Sequence, residues 1–219
     1  MKNIIFIAPP AAGKGTQAVM VSSKYNIPHI STGDILRNSA KEDSERGRYI
    51  ANEISNGRFV SSDIMLELIT ERLQQSDCDN GYILDGFPRN LEQAEQYEVI
   101  LNKLNRELGY VIVLDIDKEV AKSRIVGRVS CPKCGSVFNE NIDAAKPKQA
   151  GICDNCGTEL VKRSDDNAET FAGRIQTYLE KTQPLIDYYE KKNVLYHVNS
   201  DLGKENTFEQ IEKIIVSSL

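Results

Sequence analysis

The chain has 219 residues, more than the roughly 150 of an average domain, so one core carrying inserted modules is expected. Hydrophobic residues make up 40 % and charged residues 27 %, which excludes a disordered chain, and no apolar run approaches the ~18 residues needed to span a bilayer. With 27 basic and 32 acidic residues the net charge is -5, which argues against a general nucleic-acid surface and means that a polyanionic ligand must meet clustered arginines.

Short apolar runs alternate with longer amphipathic stretches, the pattern of an α/β domain with a parallel sheet. Five strands are predicted, at residues 4–8, 28–31, 81–85, 110–116 and 194–198, all rich in Ile, Leu, Val or Tyr. The first apolar run is too short for a signal peptide and lacks a small-residue cleavage pattern, so a cytoplasmic location is expected. Helices are predicted over 15–25, 90–108, 167–192 with a break or kink at Pro184, and 205–219, where Phe208, Ile211, Ile214 and Ile215 recur at helical spacing. Two segments interrupt this rhythm and read as inserted modules: 32–60, polar and helical, and 127–164, rich in Cys, Pro, Gly and Lys.

After the first strand comes Ala8-Pro9-Pro10-Ala11-Ala12-Gly13-Lys14-Gly15-Thr16, where a helix should start. Backbone N–H groups and the helix dipole would cradle phosphates there, Lys14 would reach the terminal ones, and the Thr16 hydroxyl could approach a bound magnesium. The usual phosphate loop opens with glycine and has Ser or Thr directly after the lysine, whereas here Ala8 opens it and Gly15 intervenes. By itself Gly-Lys-Gly-Thr also suits an ordinary turn and helix cap.

Cys131-Pro132-Lys133-Cys134 and Cys153-Asp154-Asn155-Cys156 form two CxxC knuckles 18 residues apart, a four-thiolate zinc spacing. Gly135 and Gly157 permit the tight turns that face backbone N–H groups to the sulfurs. Four protein ligands leave no open position, so the metal would be structural, bracing an insert too small to build its own core. A thioredoxin-type redox motif is the competing reading. Cys78 is left over as a free thiol.

Ser31-Thr32-Gly33-Asp34-Ile35-Leu36-Arg37 follows the second predicted strand, Asp85-Gly86-Phe87-Pro88-Arg89 follows the third, and Gln93 lies one helical turn after Arg89. With the phosphate loop, these motifs resemble those of the adenylate kinases, a nucleoside monophosphate kinase family, over essentially the whole chain and in order. The cysteine-bearing insert resembles the lid of the long, bacterial-type members. The resemblance implies a P-loop nucleoside monophosphate kinase fold: a core of residues 1–30, 61–126 and 165–219, a monophosphate-binding insert at 31–60 and a zinc-binding lid at 127–164, the inserts closing over bound nucleotides. The implied reaction is reversible transfer of the γ-phosphoryl group of MgATP to AMP, giving two ADP, by in-line displacement.

The resemblance also implies site residues. Ala11, Ala12, Gly13, Lys14, Gly15 and Thr16 would hold the ATP phosphates, with Arg124 against the adenine and Arg128, Val137 and Phe138 also binding ATP. Arg128, Arg163 and Arg174 would bridge the transferring group, while Arg37 and Arg89 grip the AMP phosphate. Thr32, Gly33, Arg58, Val60, Gly86 and Gln93 would lie near the AMP base and ribose. Asp85 would orient magnesium through water, although a helix-capping or sheet-end carboxylate is its other reading, and Asp165 and Asp166 would position lid arginines. Asp34 reads as a cap, and His29 and His197 are given no role.

The chain departs from the family pattern at Ala8 and Ala11, where glycines are usual, and at Asn139, where a histidine often sits beside adenine. Alanine cannot take positive φ cheaply, so either the loop is slightly reshaped or Ala11 keeps an ordinary conformation; a competent loop is expected. A kinase for UMP, CMP or GMP is the nearest alternative. A zinc-ribbon binding protein is disfavoured by the acidic charge and the 7 % aromatic content, and a GTPase-like switch by the absence of an Asn-Lys-x-Asp signal. A monomer without nucleic-acid or membrane partners is expected.

Overall fold

The computed structural model describes residues 2–55, 60–162 and 166–217. Its backbone forms an α/β fold around a five-stranded parallel sheet. The strands are β1 (Ile4–Ile7), β2 (His29–Ser31), β3 (Ile83–Asp85), β4 (Tyr110–Asp115) and the last strand of the chain, Leu195–Asn199, in the order β2-β3-β1-β4-last. Ile4 lies between Ile83 and Tyr110, and Ile5 between Leu84 and Val111. Successive strand residues face opposite sides, yet every residue of β1 and the first five of β4 are buried, so both faces of the sheet centre are covered.

Contacts divide the chain into two compact units. The first comprises Met1–Ile7, Ala18–Val113 and Lys181–Tyr196; the second comprises Ala8–Gln17, Leu114–Glu180 and His197–Leu219. Helix α1 (Lys14–Tyr25) continues from the loop after β1, and in the first unit α2 (Thr32–Ser39), α3 (Glu45–Ser55) and α4 (Ser62–Leu73) lie between β2 and β3. Ile50, Val60 and Leu68 form a buried cluster with Ile35, Leu36, Ala40 and Ile64 against it. Helix α5 (Leu91–Lys103) follows β3, and its Tyr97 is fully buried, with its hydroxyl 2.7 Å from that of Tyr82.

In the second unit, α6 (Lys118–Val126) and α7 (Ala168–Thr177) share the cluster Ala121, Ile125 and Phe171. Between them, β5 (Arg128–Ser130) pairs antiparallel with β6 (Val137–Asn139), over a small core of Val129, Cys131, Cys153 and Leu160. Helix α8 (Pro184–Glu190) precedes the last strand, β7, and α9 (Lys204–Val216) follows it. No described helix is long and apolar enough to cross a membrane.

The predicted strands all form, with ends shifted by one or two residues. The helix expected over 90–108 stops at Lys103, because Asn105 turns left-handed at φ 51° and ends it. The helix expected over 167–192 is three pieces: α7, a π-helical turn at Tyr178–Thr182, and α8, which Pro184 opens from its first turn, where its missing N–H costs nothing.

Candidate active site and metal centre

The phosphate loop folds back on itself at the start of α1. Lys14 Nζ donates to the carbonyl of Ala8 at 3.0 Å, so the ammonium group lies over the loop instead of extending into solvent. Gly13 has φ 94°, which an L side chain takes only under strain. Ala11 has φ 65°, so the alanine itself takes the left-handed conformation and does not keep an ordinary one, the second of the two alternatives the sequence left open. Ala8 has no positive φ and needs no glycine. The Ala11 methyl packs against Ala121, Ile125 and Phe171, which offsets part of its strain. Ala12 is buried, while Gly13, Lys14, Gly15 and Thr16 are half-buried at the helix N-terminus, where N–H groups have no intrahelical partner.

The residues expected around AMP gather at the ends of β2 and β3 in the first unit. Thr32 is fully buried, and its hydroxyl is directed at the carbonyls of Asp85 (3.2 Å) and Gly86 (3.1 Å). Gly86 has φ 86°, and a Cβ there would meet Thr32 Oγ1 at 2.6 Å and Arg89 Nη2 at 2.9 Å, so this turn admits only glycine. Arg89 donates from Nε to the Gly86 carbonyl at 2.7 Å, and its own N–H donates to Gln93 Oε1 at 2.8 Å. Burial lowers the Arg89 guanidinium below its ordinary value, and the Asp85 charge opposes that shift. Gly33 lies beside the Arg37 guanidinium, which pairs with Asp34 at 2.6 Å. Asp34 is not the cap: Ser31 caps α2, its Oγ accepting from the Asp34 N–H. Val60 lies in the α2–α4 cluster, and Arg58 lies outside the described residues.

The second unit holds the other arginines. Arg128 donates from Nε and Nη2 to both oxygens of Asp166, at 2.7 and 2.5 Å, and the Asp166 side chain is wholly buried. Arg174 Nη1 lies 3.7 Å from the same carboxylate. Arg124 donates from Nη2 to the carbonyl of Ser200 at 2.8 Å; burial lowers its pKa, and Asp201 opposes the shift. Val137 is exposed and Phe138 packs on the small cysteine-bearing core. Asn139 is buried and donates to the Arg124 carbonyl at 2.7 Å. Arg163 and Asp165 lie outside the described residues.

All four knuckle sulfurs lie within 4.8 Å of one another. The Cys131–Cys156, Cys134–Cys153 and Cys134–Cys156 separations are 3.4, 3.5 and 3.5 Å. A tetrahedron with metal–sulfur bonds of about 2.3 Å has edges of about 3.8 Å, so this donor set fits zinc with small adjustment. The Ser136 hydroxyl draws the Cys134 thiol below its ordinary value, that of Thr158 does the same for Cys156, and burial pushes Cys153 up.

Some contacts had no signal in the sequence. The Ser200 carbonyl that holds Arg124 lies 76 residues away and belongs to no motif. His29 Nε2 sits 3.3 Å from Asp85 Oδ2, and His197 Nδ1 sits 2.8 Å from Asp115 Oδ2, so both histidines have carboxylate partners. Only strand order brings β2 beside β3 and makes the His29 pair.

A sequence model of the family described as adenylate kinase matches residues 6–194. An adenylate kinase of Clostridioides difficile is 44 % identical over 209 residues, covering 95 % of this chain and 96 % of the relative. One from Archaeoglobus fulgidus is 44 % identical, covering 97 % of both chains, and one from Thermotoga neapolitana is 41 % identical, covering 98 % of this chain and 97 % of its own. With a match of this extent added to the folded-back phosphate loop, the chain belongs to the adenylate kinase family.

Proposed function

We propose that this protein is an ATP:AMP phosphotransferase, moving the γ-phosphoryl group of MgATP reversibly to AMP to give two ADP. The observation that carries the reading is the phosphate loop, in which two left-handed residues and the Lys14–Ala8 contact wrap the backbone around the start of a helix. The names of the near full-length relatives supply the two nucleotides.

In the proposed mechanism, residues 11–16 hold the ATP phosphates through backbone N–H groups, and Lys14 exchanges the Ala8 carbonyl for phosphate oxygens. Arg124 lies against adenine, with Val137 and Phe138 beside it. Arg37 and Arg89 bind the AMP phosphate, while Thr32, Gly33, Arg58, Val60, Gly86 and Gln93 frame its base and ribose. Arg128, Arg163 and Arg174 bridge the transferring group, and Asp165 and Asp166 hold those arginines. Phosphoryl transfer needs positioning and charge stabilisation more than covalent chemistry, so no side-chain nucleophile is required. Bound magnesium would supply neutralisation of the phosphate charge, and Asp85, at the end of β3, would orient its water shell.

The modules proposed for this work are a core of 1–30, 61–126 and 165–219, a monophosphate-binding insert at 31–60 and a lid at 127–164. Closure of such inserts protects a transferable phosphoryl group from hydrolysis. Cys131, Cys134, Cys153 and Cys156 would hold zinc, which would supply a cross-link bracing the lid. Thiolate ligands need reducing conditions, which supports a cytoplasmic location, and the net charge of -5 disfavours nucleic-acid partners. A monomer suffices, because one chain carries every residue assigned.

A coupled assay with MgATP and each of AMP, GMP, CMP and UMP tests the reading. ADP formation is expected with AMP, far above a control without acceptor. Preference for another monophosphate would move the substrate within the fold, and absence of transfer to any would overturn the proposal.

A further inference from the structure

The two knuckles repeat one pattern, Cys131-Pro132-Lys133-Cys134-Gly135-Ser136 and Cys153-Asp154-Asn155-Cys156-Gly157-Thr158, each ending in a hydroxyl. The backbone repeats with it. Cys131 N–H donates to the Ser136 carbonyl at 2.8 Å and Gly135 N–H to the Cys131 carbonyl at 3.0 Å. The corresponding bonds from Cys153 to Thr158 and from Gly157 to Cys153 are both 2.9 Å. Each turn thus returns a hydroxyl to the second sulfur of its knuckle: Ser136 Oγ is 3.1 Å from Cys134 Sγ, and Thr158 Oγ1 is 3.4 Å from Cys156 Sγ. These are the solvent-facing sulfurs, since Cys131 and Cys153 are buried while Cys134 is exposed and Cys156 half-buried. A third group crosses between knuckles, with Asn155 Nδ2 donating to Ser136 Oγ at 2.8 Å.

Metal binding would fix the direction of these bonds. A thiol can donate or accept, whereas a thiolate on a divalent cation only accepts, its proton having gone to solvent. Both hydroxyls must then donate to sulfur, and the Ser136 oxygen accepts from Asn155. The result is a directed chain, Asn155 N–H to Ser136 O–H to Cys134 S⁻. We propose that this relay, together with the Thr158 hydroxyl on Cys156, is a polar clasp that slows metal loss from the lid by stabilising its two solvent-facing thiolates. Four thiolates around a divalent cation leave a net charge of about -2; a proton attacks first at exposed sulfur, and a chelator reaches the cation from that same open side. Hydroxyl donors on that side disperse the charge and occupy the line of attack.

The inference rests on the reading that the four cysteines hold zinc, and the experiment separates the two. Full-length protein is analysed for metal, and zinc release to a chromogenic pyridylazo chelator is timed for the wild type, Ser136→Ala, Asn155→Ala, the double variant Ser136→Ala/Asn155→Ala, and Thr158→Val. We expect tight zinc in the wild type and release about 10-fold faster in Ser136→Ala and Thr158→Val. Ser136→Thr and Thr158→Ser, which keep the hydroxyls and control for disturbed folding, should retain slow release. The double variant should release no faster than Ser136→Ala, because Asn155 acts only through that hydroxyl. A wild type without metal would overturn the zinc reading and the clasp together. A loaded wild type whose hydroxyl-less variants release zinc at the same rate would overturn the clasp alone, and additive effects of Ser136→Ala and Asn155→Ala would overturn the relay.

Discussion

Replacing Ala11 by glycine isolates what the alanine costs the phosphate loop. A left-handed conformation costs an L residue about 1–2 kcal/mol, and Ala11 occupies it at φ 65°. Two terms oppose the relief that glycine would bring. Glycine gives the unfolded chain about 0.4–1 kcal/mol more entropy to lose. The Ala11 methyl also packs against Ala121, Ile125 and Phe171, a contact worth at most about 0.8 kcal/mol and less for a half-buried group. The balance is a net stabilisation of roughly 0.5 kcal/mol, a rise in melting temperature of about 1–2 °C for a chain of this size. Because alanine already holds the φ that glycine would choose, ATP affinity should change less than about twofold. Calorimetric melting and ATP titration of Ala11→Gly against the wild type measure both quantities. A tenfold gain in ATP affinity would show that the alanine distorts the loop, and a melting temperature lowered by more than about 3 °C would show that Ala11 is not strained.

Other consequences are as direct. Lys14→Met should cut turnover by about 10²-fold or more while the melting temperature moves by only a few degrees; near-normal turnover would remove Lys14 from the mechanism. Asp166→Asn leaves the forked Arg128 facing a neutral amide and should cost about 2–3 kcal/mol in urea unfolding, with a loss below about 0.5 kcal/mol counting against a structural role for the pair. Replacing Cys153 and Cys156 with serine should abolish zinc binding and lower the melting temperature far more than activity at low temperature; the reverse would give the metal a direct part in catalysis. The Arg72 guanidinium hydrogen-bonds Asp77 and holds its carboxyl below 3.8, so the pair's contribution is present at neutral pH and fades as the pH falls through the lower folded value. The stability gap between wild type and Asp77→Asn, under about 1 kcal/mol for so exposed a pair, should therefore close in acid, and a gap that persists at pH 2 would mean that charge is not its source.

What could be read from the sequence follows the range of the forces involved. The strands were legible because a strand buried on both faces must be continuously apolar, as 4–7 and 110–114 are. The helix end at Lys103 was misplaced because Leu104 and Leu108 extend the helical spacing, while the signal that stops it is one residue, Asn105, turning left-handed. The cluster of four cysteines was legible to the residue because two CxxC knuckles at this spacing bring their sulfurs together locally. The partner of Arg128 was harder to see, since the motif offers adjacent aspartates, Asp165 and Asp166, and no local rule says which is buried. The His29–Asp85 pair was invisible for a different reason: it depends on β2 lying beside β3, which is decided by packing.

An acidic protein that handles polyphosphates must hold its cations ready without letting them repel one another or be quenched. The described arginines of the proposed site show one solution, in which each has an acceptor beside it: Arg37 has Asp34, Arg89 the Gly86 carbonyl, Arg124 the Ser200 carbonyl, and Arg128 and Arg174 share the Asp166 carboxylate. A guanidinium has five donors in a rigid fork, so a tether along one edge fixes the plane of the group while other N–H groups remain for a ligand. Arg128 gives Nε and Nη2 to Asp166, so both carboxylate oxygens fix the plane of its guanidinium. Neutral carbonyls and charged carboxylates are not equivalent tethers. Backbone carbonyls orient Arg89 and Arg124 through neutral acceptors, with the Asp85 and Asp201 charges acting on them as well, whereas the carboxylate on Arg128 pairs charge with charge for a firmer hold.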